Sequence, residues 1–383
     1  MNFKIIKKKI ANKNFTVGII GLGYVGLPIA NRFIKKNIKI IGLEQDVKKI
    51  KKLKKGINYI NSQSLKNFDY FKRNKKNISN NYAILRKCDV ILVCLPTPLK
   101  NKIPDMSFIY NCGKRLKKII KPFQLIVLES TVFPGATIEF SKKFKKKNYK
   151  FGKNIFLGYS PERENPGDNK FSYKTTPKVV SGYTQDCSVL TSLVYKHIAN
   201  KIVKAKSIET AETSKLLENL YRSVNIGLVN EFKLICDKLN VDVFEIIKLA
   251  ATKNFGFQKF MPGPGLGGHC IPIDPFYLSW ASKRKGYDPK FIRLAGELNS
   301  LMPAWAINKM LKNLKKEKPY ILILGVSYKK NVDDDRESPS IEIMRILNEK
   351  KIKFEYNDPY FPKLQKVRKL NFVKKSVLIN KKN

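Results

Sequence analysis

Thr16-Val17-Gly18-Ile19-Ile20 is a short apolar run, followed at once by Gly21-Leu22-Gly23-Tyr24-Val25-Gly26 and then by the largely apolar stretch Leu27 to Phe33. Strand, glycine turn and helix in this order leave a chain few folds to choose from. The glycines permit the tight turn, a close pass of a pyrophosphate and the packing of helix on strand, while the helix N-terminus offers unpaired N–H groups to phosphate. A second apolar strand, Ile38 to Leu43, ends in Glu44, eighteen residues past Gly26, where an acid can accept hydrogen bonds from an adenosine ribose. Such an acid favours NAD over NADP, whose 2′-phosphate it would repel. Lys48 and Lys49 soften that preference without reversing it.

Further apolar runs follow at Val90–Leu95, Leu125–Leu128, Ile155–Gly158 and Lys178–Ser181, separated by helical stretches. The alternation predicts an α/β fold with a doubly wound parallel sheet from residue 15 to about 205. Ligands in such sheets sit at the carboxyl ends of strands, so the turns Pro96-Thr97-Pro98 and Glu129 to Gly135 are expected to face the cofactor. From Ser207 to about Ala251 the pattern is long and helical, with Lys215, Asn219 and Arg222 on one face. Leu216, Leu217, Leu220, Val224 and Leu228 predict that this helix is largely buried, which makes an inward Lys and Asn costly and points to function. A last strand, Tyr320 to Gly325, opens a second α/β unit.

Composition excludes several classes. With 383 residues the chain is too long for one core. No run approaches a membrane span, and Met1 to Lys13 lacks the apolar centre of a signal peptide, so a cytoplasmic protein is expected. The six cysteines form no CxxC pair, and only two histidines are present, which argues against a metal centre. A net charge of +46 raises the possibility of nucleic acid, but the excess is mostly lysine, dispersed rather than gathered with aromatics; no specific nucleic-acid partner is expected.

Between the two α/β parts stands Met261-Pro262-Gly263-Pro264-Gly265-Leu266-Gly267-Gly268-His269-Cys270-Ile271-Pro272-Ile273-Asp274-Pro275. Four glycines within six positions remove side chains where backbone must approach a ligand, so Cys270 is expected to meet one. A thiolate beside a nicotinamide has a distinctive use: it adds to an aldehyde, the adduct gives up a hydride, and the thioester is hydrolysed to a carboxylate. That route needs donors for an oxyanion, for which Lys215 and Asn219 are candidates, and an acid–base group for water, for which Asp274 and Glu162 are candidates.

Taken with Leu95-Pro96-Thr97-Pro98-Leu99, Glu129-Ser130-Thr131, Ser160-Pro161-Glu162-Arg163, Lys215 through Arg222, Gly267 to Cys270 and Lys329 through Pro339, the chain resembles the nucleotide-sugar 6-dehydrogenases, the UDP-glucose/GDP-mannose dehydrogenase family, from residue 15 to about 360. The resemblance implies three parts: an N-terminal Rossmann-like NAD domain (1–205), a central long-helix dimerisation region with the cysteine loop (206–305), and a C-terminal Rossmann-like UDP-sugar domain (306–383), here shorter than is usual in the family. It implies a homodimer that oxidises a sugar C6 alcohol by four electrons with two NAD. By resemblance Cys270 is the nucleophile, Lys215 and Asn219 stabilise the oxyanion, Asp274 and Thr131 assist water and proton transfer, and Glu162 serves the thioester stage. Cofactor contacts are implied for Gly21, Gly23, Tyr24, Val25, Gly26, Glu44, Lys49, Pro96, Thr97, Ser130, Thr131 and Arg336. Those implied for the sugar nucleotide are Glu162, Arg163, Lys215, Asn219, Phe260, Gly263, Gly265, Gly268, Tyr277 and Lys329. His269 and Ile273 replace the serine and lysine of the glucose enzymes, so residues 267 to 278 are similar to the branch acting on UDP-N-acetylglucosamine. UDP-glucose or UDP-N-acetylmannosamine as substrate, or an inactive nucleotide-sugar-binding homologue, are the alternatives.

Overall fold

The computed structural model describes residues 3–60, 69–163, 175–268, 271–314, 319–364, 370 and 372–378. The chain divides into two compact units, Met1–Leu216 and Leu217–Asn383. In the first unit the strands are β1 (Thr16–Ile20), β2 (Lys39–Leu43), β3 (Ile78–Ser79), β4 (Val90–Val93), the hairpin β5 (Leu99–Lys100) and β6 (Ile103–Pro104), β7 (Leu125–Leu128), β8 (Phe156–Tyr159), β9 (Lys178–Gly182) and β10 (Ile202–Lys204). Its helices are α1 (Phe3–Ala11), α2 (Gly26–Ile34), α3 (Val47–Lys54), α4 (Tyr70–Arg73), α5 (Ser107–Ile119), α6 (Ala136–Phe144) and α7 (Gln185–Lys196).

Eight strands form one sheet in the order β10-β9-β8-β7-β4-β1-β2-β3. Strands β4, β7 and β8 are buried at every residue, as their unbroken apolar runs require of strands covered on both faces. Residues 3–11, ahead of the first strand, form a helix whose Ile6 and Ile10 are fully buried in the main core. His197 bonds the Ile10 carbonyl through Nε2 at 2.8 Å, fastening that helix to the end of α7.

The sheet departs from the expected all-parallel form at one place. β9 runs antiparallel to β8, pairing Gly158 with Gly182 and Tyr159 with Ser181, before β10 pairs parallel with β9. An antiparallel neighbour starts where its partner ends, so the first residue of β9, Lys178, lies at the carboxyl end of β8, the end that carries ligand-facing turns in this fold.

Helix α8 (Ile208–Leu239) starts in the first unit and continues into the second. The single long helix expected up to Ala251 is in fact two, because Asn240 takes a left-handed φ of 56° and Asp242 then caps α9 (Val243–Ala250) by accepting from Phe244 N at 2.8 Å. Nor is α8 buried all round: Leu216 is fully buried, but Leu217 and Leu228 are each 60% exposed. The second unit adds α10 (Asp274–Lys283), α11 (Lys290–Asn313), β11 (Tyr320–Leu324), α12 (Pro339–Glu349), β12 (Lys353–Asn357) and the short antiparallel pair β13 (Lys363–Leu364) and β14 (Lys374–Lys375). β11 and β12 pair in parallel, and Val326, Met344, Leu347, Phe354 and Tyr356 make the core beneath them. Among the described residues no helix is long and apolar enough to cross a membrane.

Candidate active site

The glycine turn divides its work as the spacing predicts. Gly21 has φ 88°, and a Cβ there would lie 2.4 Å from the Cys94 carbonyl oxygen; a Cβ on Gly26 would lie 1.9 Å from the Gly21 carbonyl oxygen. These two close the turn and seat the helix on the sheet. Gly23 is different: a Cβ there would meet nothing within 4 Å, so the surface above it is open. Helix α2 begins there without a side-chain cap, leaving its N–H groups for an anion, and a dinucleotide pyrophosphate fits this cradle. Tyr24 stands exposed beside it and Val25 is the N-cap residue. Glu44 is held at the end of β2: Oε2 accepts from Leu22 N at 3.1 Å, and Oε1 accepts from Gln45 N at 2.8 Å and Asp46 N at 3.1 Å. Lys49 lies over the Tyr59 ring, 5.6 Å from its centroid, and the Tyr59 hydroxyl donates to the Leu22 carbonyl.

The two predicted ligand turns are laced together. Ser130 Oγ accepts from Leu95 N at 3.1 Å and donates to Leu95 O at 2.7 Å, and Thr97 Oγ1 donates to the Thr131 carbonyl at 2.8 Å, with Pro96 exposed between them. Downstream, Glu212 of α8 accepts from Gly135 N at 2.6 Å, Thr137 N at 2.8 Å and Thr137 Oγ1 at 2.6 Å. It caps α6 from outside because the N-cap residue, Gly135, has no side chain to do so. Burial pushes the Glu212 carboxyl up to about 7 despite those donors. One turn on, Lys215 is 8% exposed. The i, i+3 link from a clamp to a candidate catalytic lysine was legible only as an acid in a helix.

Glu162 and Arg163 follow β8. Glu162 Oε1 accepts from Arg163 N at 2.8 Å, and Arg163 Nη1 donates to the Pro177 carbonyl at 2.8 Å. Behind Glu162 lies a group that sequence reading did not single out. Lys178, 2% exposed, donates to Glu129 Oε2 at 2.8 Å and to Pro161 O at 3.0 Å and stands 3.5 Å from Glu162 Oε2. Burial pulls the lysine pKa down, but the carboxylates of Glu129 and Glu162 outweigh it, leaving the value raised and the ammonium charged. A lysine opening an apolar strand was the available signal.

In the second unit Asn219, fully buried, donates through Nδ2 to the Asp274 carboxylate and accepts through Oδ1 from Arg222. Asp274 is 3% exposed at the first position of α10. The loop before it is anchored by a second amide pair: Asn230 Oδ1 accepts from Gly263 N at 2.9 Å, and its Nδ2 donates to Asn299 Oδ1 at 2.8 Å. Here the expectation that all the loop glycines clear space for a ligand is corrected. A Cβ on Gly267 would stand 2.6 Å from the Tyr328 Cβ, and one on Gly268 2.7 Å from the Tyr328 ring, so these two make room for a tyrosine; only Gly263 faces open space. Gly265 has φ 124°, a conformation that itself requires glycine. Arg336 accepts from Gly268 N at 3.0 Å through its carbonyl, while its guanidinium grips Asp334 at 2.6–3.0 Å. Phe260 packs against the Tyr221 ring, Tyr277 is fully buried in α10, and Lys329 lies half-buried after β11. Cys270 and His269 lie outside the described residues. Among the described residues no three His, Cys, Asp or Glu side chains gather as a metal site.

Residues 15–199 match the model of the UDP-glucose/GDP-mannose dehydrogenase family NAD binding domain, 209–301 that of its central domain and 322–381 that of its UDP binding domain. The chain is 34% identical over 362 residues to the UDP-N-acetyl-D-glucosamine 6-dehydrogenase of Pseudomonas aeruginosa, covering 91% of this chain and 83% of that one. It is 35% identical over 350 residues to the UDP-N-acetyl-D-mannosamine dehydrogenase of Methanococcus maripaludis, covering 89% and 79%. The solved UDP-D-ManNAc dehydrogenase of Pyrococcus horikoshii superposes with a TM-score of 0.84 at 28% identity, over 90% of this chain and 84% of that one.

Proposed function

The chain belongs to the UDP-glucose/GDP-mannose dehydrogenase family and is an NAD-dependent enzyme, and from that premise we propose that it oxidises the C6 alcohol of a UDP-N-acetylhexosamine, UDP-N-acetylglucosamine foremost, to the uronic acid for surface polysaccharide synthesis. The observation that carries this reading is the buried pair Asn219 and Asp274, with the exposed Arg222 donating to Asn219 from the surface, which sets a carboxylate at the start of α10, four residues past Cys270. Such a carboxylate can manage protons, and its burial is offset by the Asn219 amide that donates to it. The names of the relatives support a hexosamine substrate, and the His269 and Ile273 pair favours the glucosamine form.

NAD, when bound, supplies the hydride acceptor for both oxidations. The alcohol loses a hydride and a proton to become the aldehyde. The Cys270 thiolate adds to the aldehyde carbon, with Lys215 and Asn219 stabilising the oxyanion; loss of a second hydride leaves a thioester. Water then attacks the acyl carbon, its proton passing to Glu162, and the C–S bond breaks to return the thiolate. Asp274 and Thr131 assist the proton transfers. In sum one alcohol, one water and two NAD⁺ yield one carboxylate, two NADH and three protons. The assignment divides the chain into an NAD part (1–205), a central part (206–305) and a sugar-nucleotide part (306–383), with the remaining candidate residues as cofactor and substrate contacts. A homodimer is part of the proposal, supported by the exposed apolar stripe Leu217, Tyr221, Leu228, Ile235 and Leu239 on α8.

NADH released per sugar, measured with UDP-N-acetylglucosamine, UDP-N-acetylgalactosamine, UDP-N-acetylmannosamine and UDP-glucose, tests both halves. Two NADH per sugar and the highest kcat/KM for UDP-N-acetylglucosamine are expected. One NADH with free aldehyde would sink the thioester route; UDP-glucose as best substrate would sink the hexosamine assignment.

A further inference from the structure

Lys178 is buried where a strand end would pack more cheaply with an apolar side chain, because removing an ammonium from water costs several kcal/mol before any pairing. What it does there is specific. Of its three N–H donors one goes to Glu129 at 2.8 Å and one to the carbonyl of Pro161 at 3.0 Å, with the Glu162 carboxylate 3.5 Å away. Glu129 is itself held, its other oxygen accepting from the buried Tyr195 hydroxyl. The β8–β9 register, which pairs Tyr159 with Ser181, places Lys178 opposite Glu162 when carried three residues further. Thus the backbone immediately before Glu162 and the side chain of Glu162 are both referred to one ammonium, anchored in the sheet from the far side by Glu129.

We propose that Lys178 is a positioning residue for Glu162, fixing the Pro161–Glu162 turn and keeping the Glu162 carboxylate ionised so that it takes the proton of the water that hydrolyses the thioester. This rests on the role given to Glu162 under Proposed function. Among the described residues Glu129 at the end of β7, Tyr195 of α7 and Cys94 at the end of β4 share the neighbourhood of Lys178 and Glu162, and Arg163, next to Glu162, turns its guanidinium to the Pro177 carbonyl. Without the ammonium Glu162 loses an opposite charge 3.5 Å away, so its proton returns at higher pH even when Glu129 is neutral; with Glu129 charged the two carboxylates also oppose each other.

The test compares the parent, Lys178→Arg, Lys178→Met and the charge-balanced pair Glu129→Gln/Lys178→Met, which leaves no uncompensated Glu129 in the core. Rapid mixing with UDP-N-acetylglucosamine and NAD at pH 7 separates the oxidations from hydrolysis. In the balanced pair a burst of two NADH per enzyme should precede a steady state slowed about tenfold, the amount by which one pH unit on the acid limb lowers the ionised fraction. Its kcat–pH profile should show that limb displaced upward, and Lys178→Arg should keep the parental profile. A folded balanced pair with the parental limb and no burst overturns the proposal, since a packing role alone would leave the limb unmoved. A parent that oxidises no UDP-sugar overturns instead the functional reading on which the proposal stands.

Discussion

Replacing Glu212 by Gln separates two things that this carboxylate does at once. It caps α6 through three hydrogen bonds of 2.6–2.8 Å, and it does so fully buried. Burial raises its pKa from 4.5 to about 7. Because the folded value lies above the unfolded one, the stabilisation linked to its proton is fully present below pH 4.5 and is lost as pH rises through about 7. Over that window ionising Glu212 in the fold costs about 3 kcal/mol. Glutamine stays neutral and so removes the slope, but it offers one acceptor oxygen in place of two, leaving the Gly135 or Thr137 N–H unpaired at a cost of about 1–2 kcal/mol at any pH. Glu212→Gln should therefore be the less stable protein at pH 5 and should equal or exceed the parent at pH 8, the difference moving by about 2.5 kcal/mol between them. Both tryptophans, Trp280 and Trp305, lie in the second unit and do not report on this contact. Amide exchange at Gly135 and Thr137, with urea titrations followed by far-UV circular dichroism, does. A stability difference that is the same at pH 5 and pH 8 would refute the argument, for Glu212 would then titrate as an ordinary carboxyl.

Gly23→Ala and Gly26→Ala should part ways: a Cβ on Gly23 meets nothing within 4 Å whereas one on Gly26 meets the Gly21 carbonyl at 1.9 Å. The first should lower NAD affinity in calorimetric titration with an unchanged melting temperature; the second should lower both, with a stability loss of about 1–3 kcal/mol. Equal losses of melting temperature would count against the division of labour within the turn. Glu44 should make NAD the better cofactor, and Glu44→Ser should narrow the NAD/NADP ratio of kcat/KM by about tenfold, equivalent to 1.4 kcal/mol of lost discrimination; an unchanged ratio would assign selectivity to another group. Leu228, 60% exposed on the α8 stripe, should be needed for dimerisation, so Leu228→Glu should sediment as a monomer where the parent sediments as a dimer; a monomeric parent would remove the stripe as an interface.

Local physics made much of this protein legible from its residues. Short apolar runs bounded by turn residues, such as Leu125–Leu128, read as strands buried on both faces, and a glycine turn between strand and helix, with Glu44 after the second strand, needs nothing distant to define it. The placing of Lys215 and Asn219 on one helical face follows from the helical repeat alone. What residue patterns did not contain were choices made by partners far off in the chain. The break at Asn240 and Asp242 is the local exception, a left-handed residue and a helix cap set within a run whose apolar spacing continues across them. Leu217 and Leu228 read as core but face outward, since helical spacing specifies a stripe and not what covers it. Two glycines of the cysteine loop serve Tyr328, some sixty residues away. The direction of β9 was likewise decided only in the folded sheet: strand propensity is the same for either sense, yet only the antiparallel one brings Lys178 from the start of its strand to the carboxylates of Glu129 and Glu162.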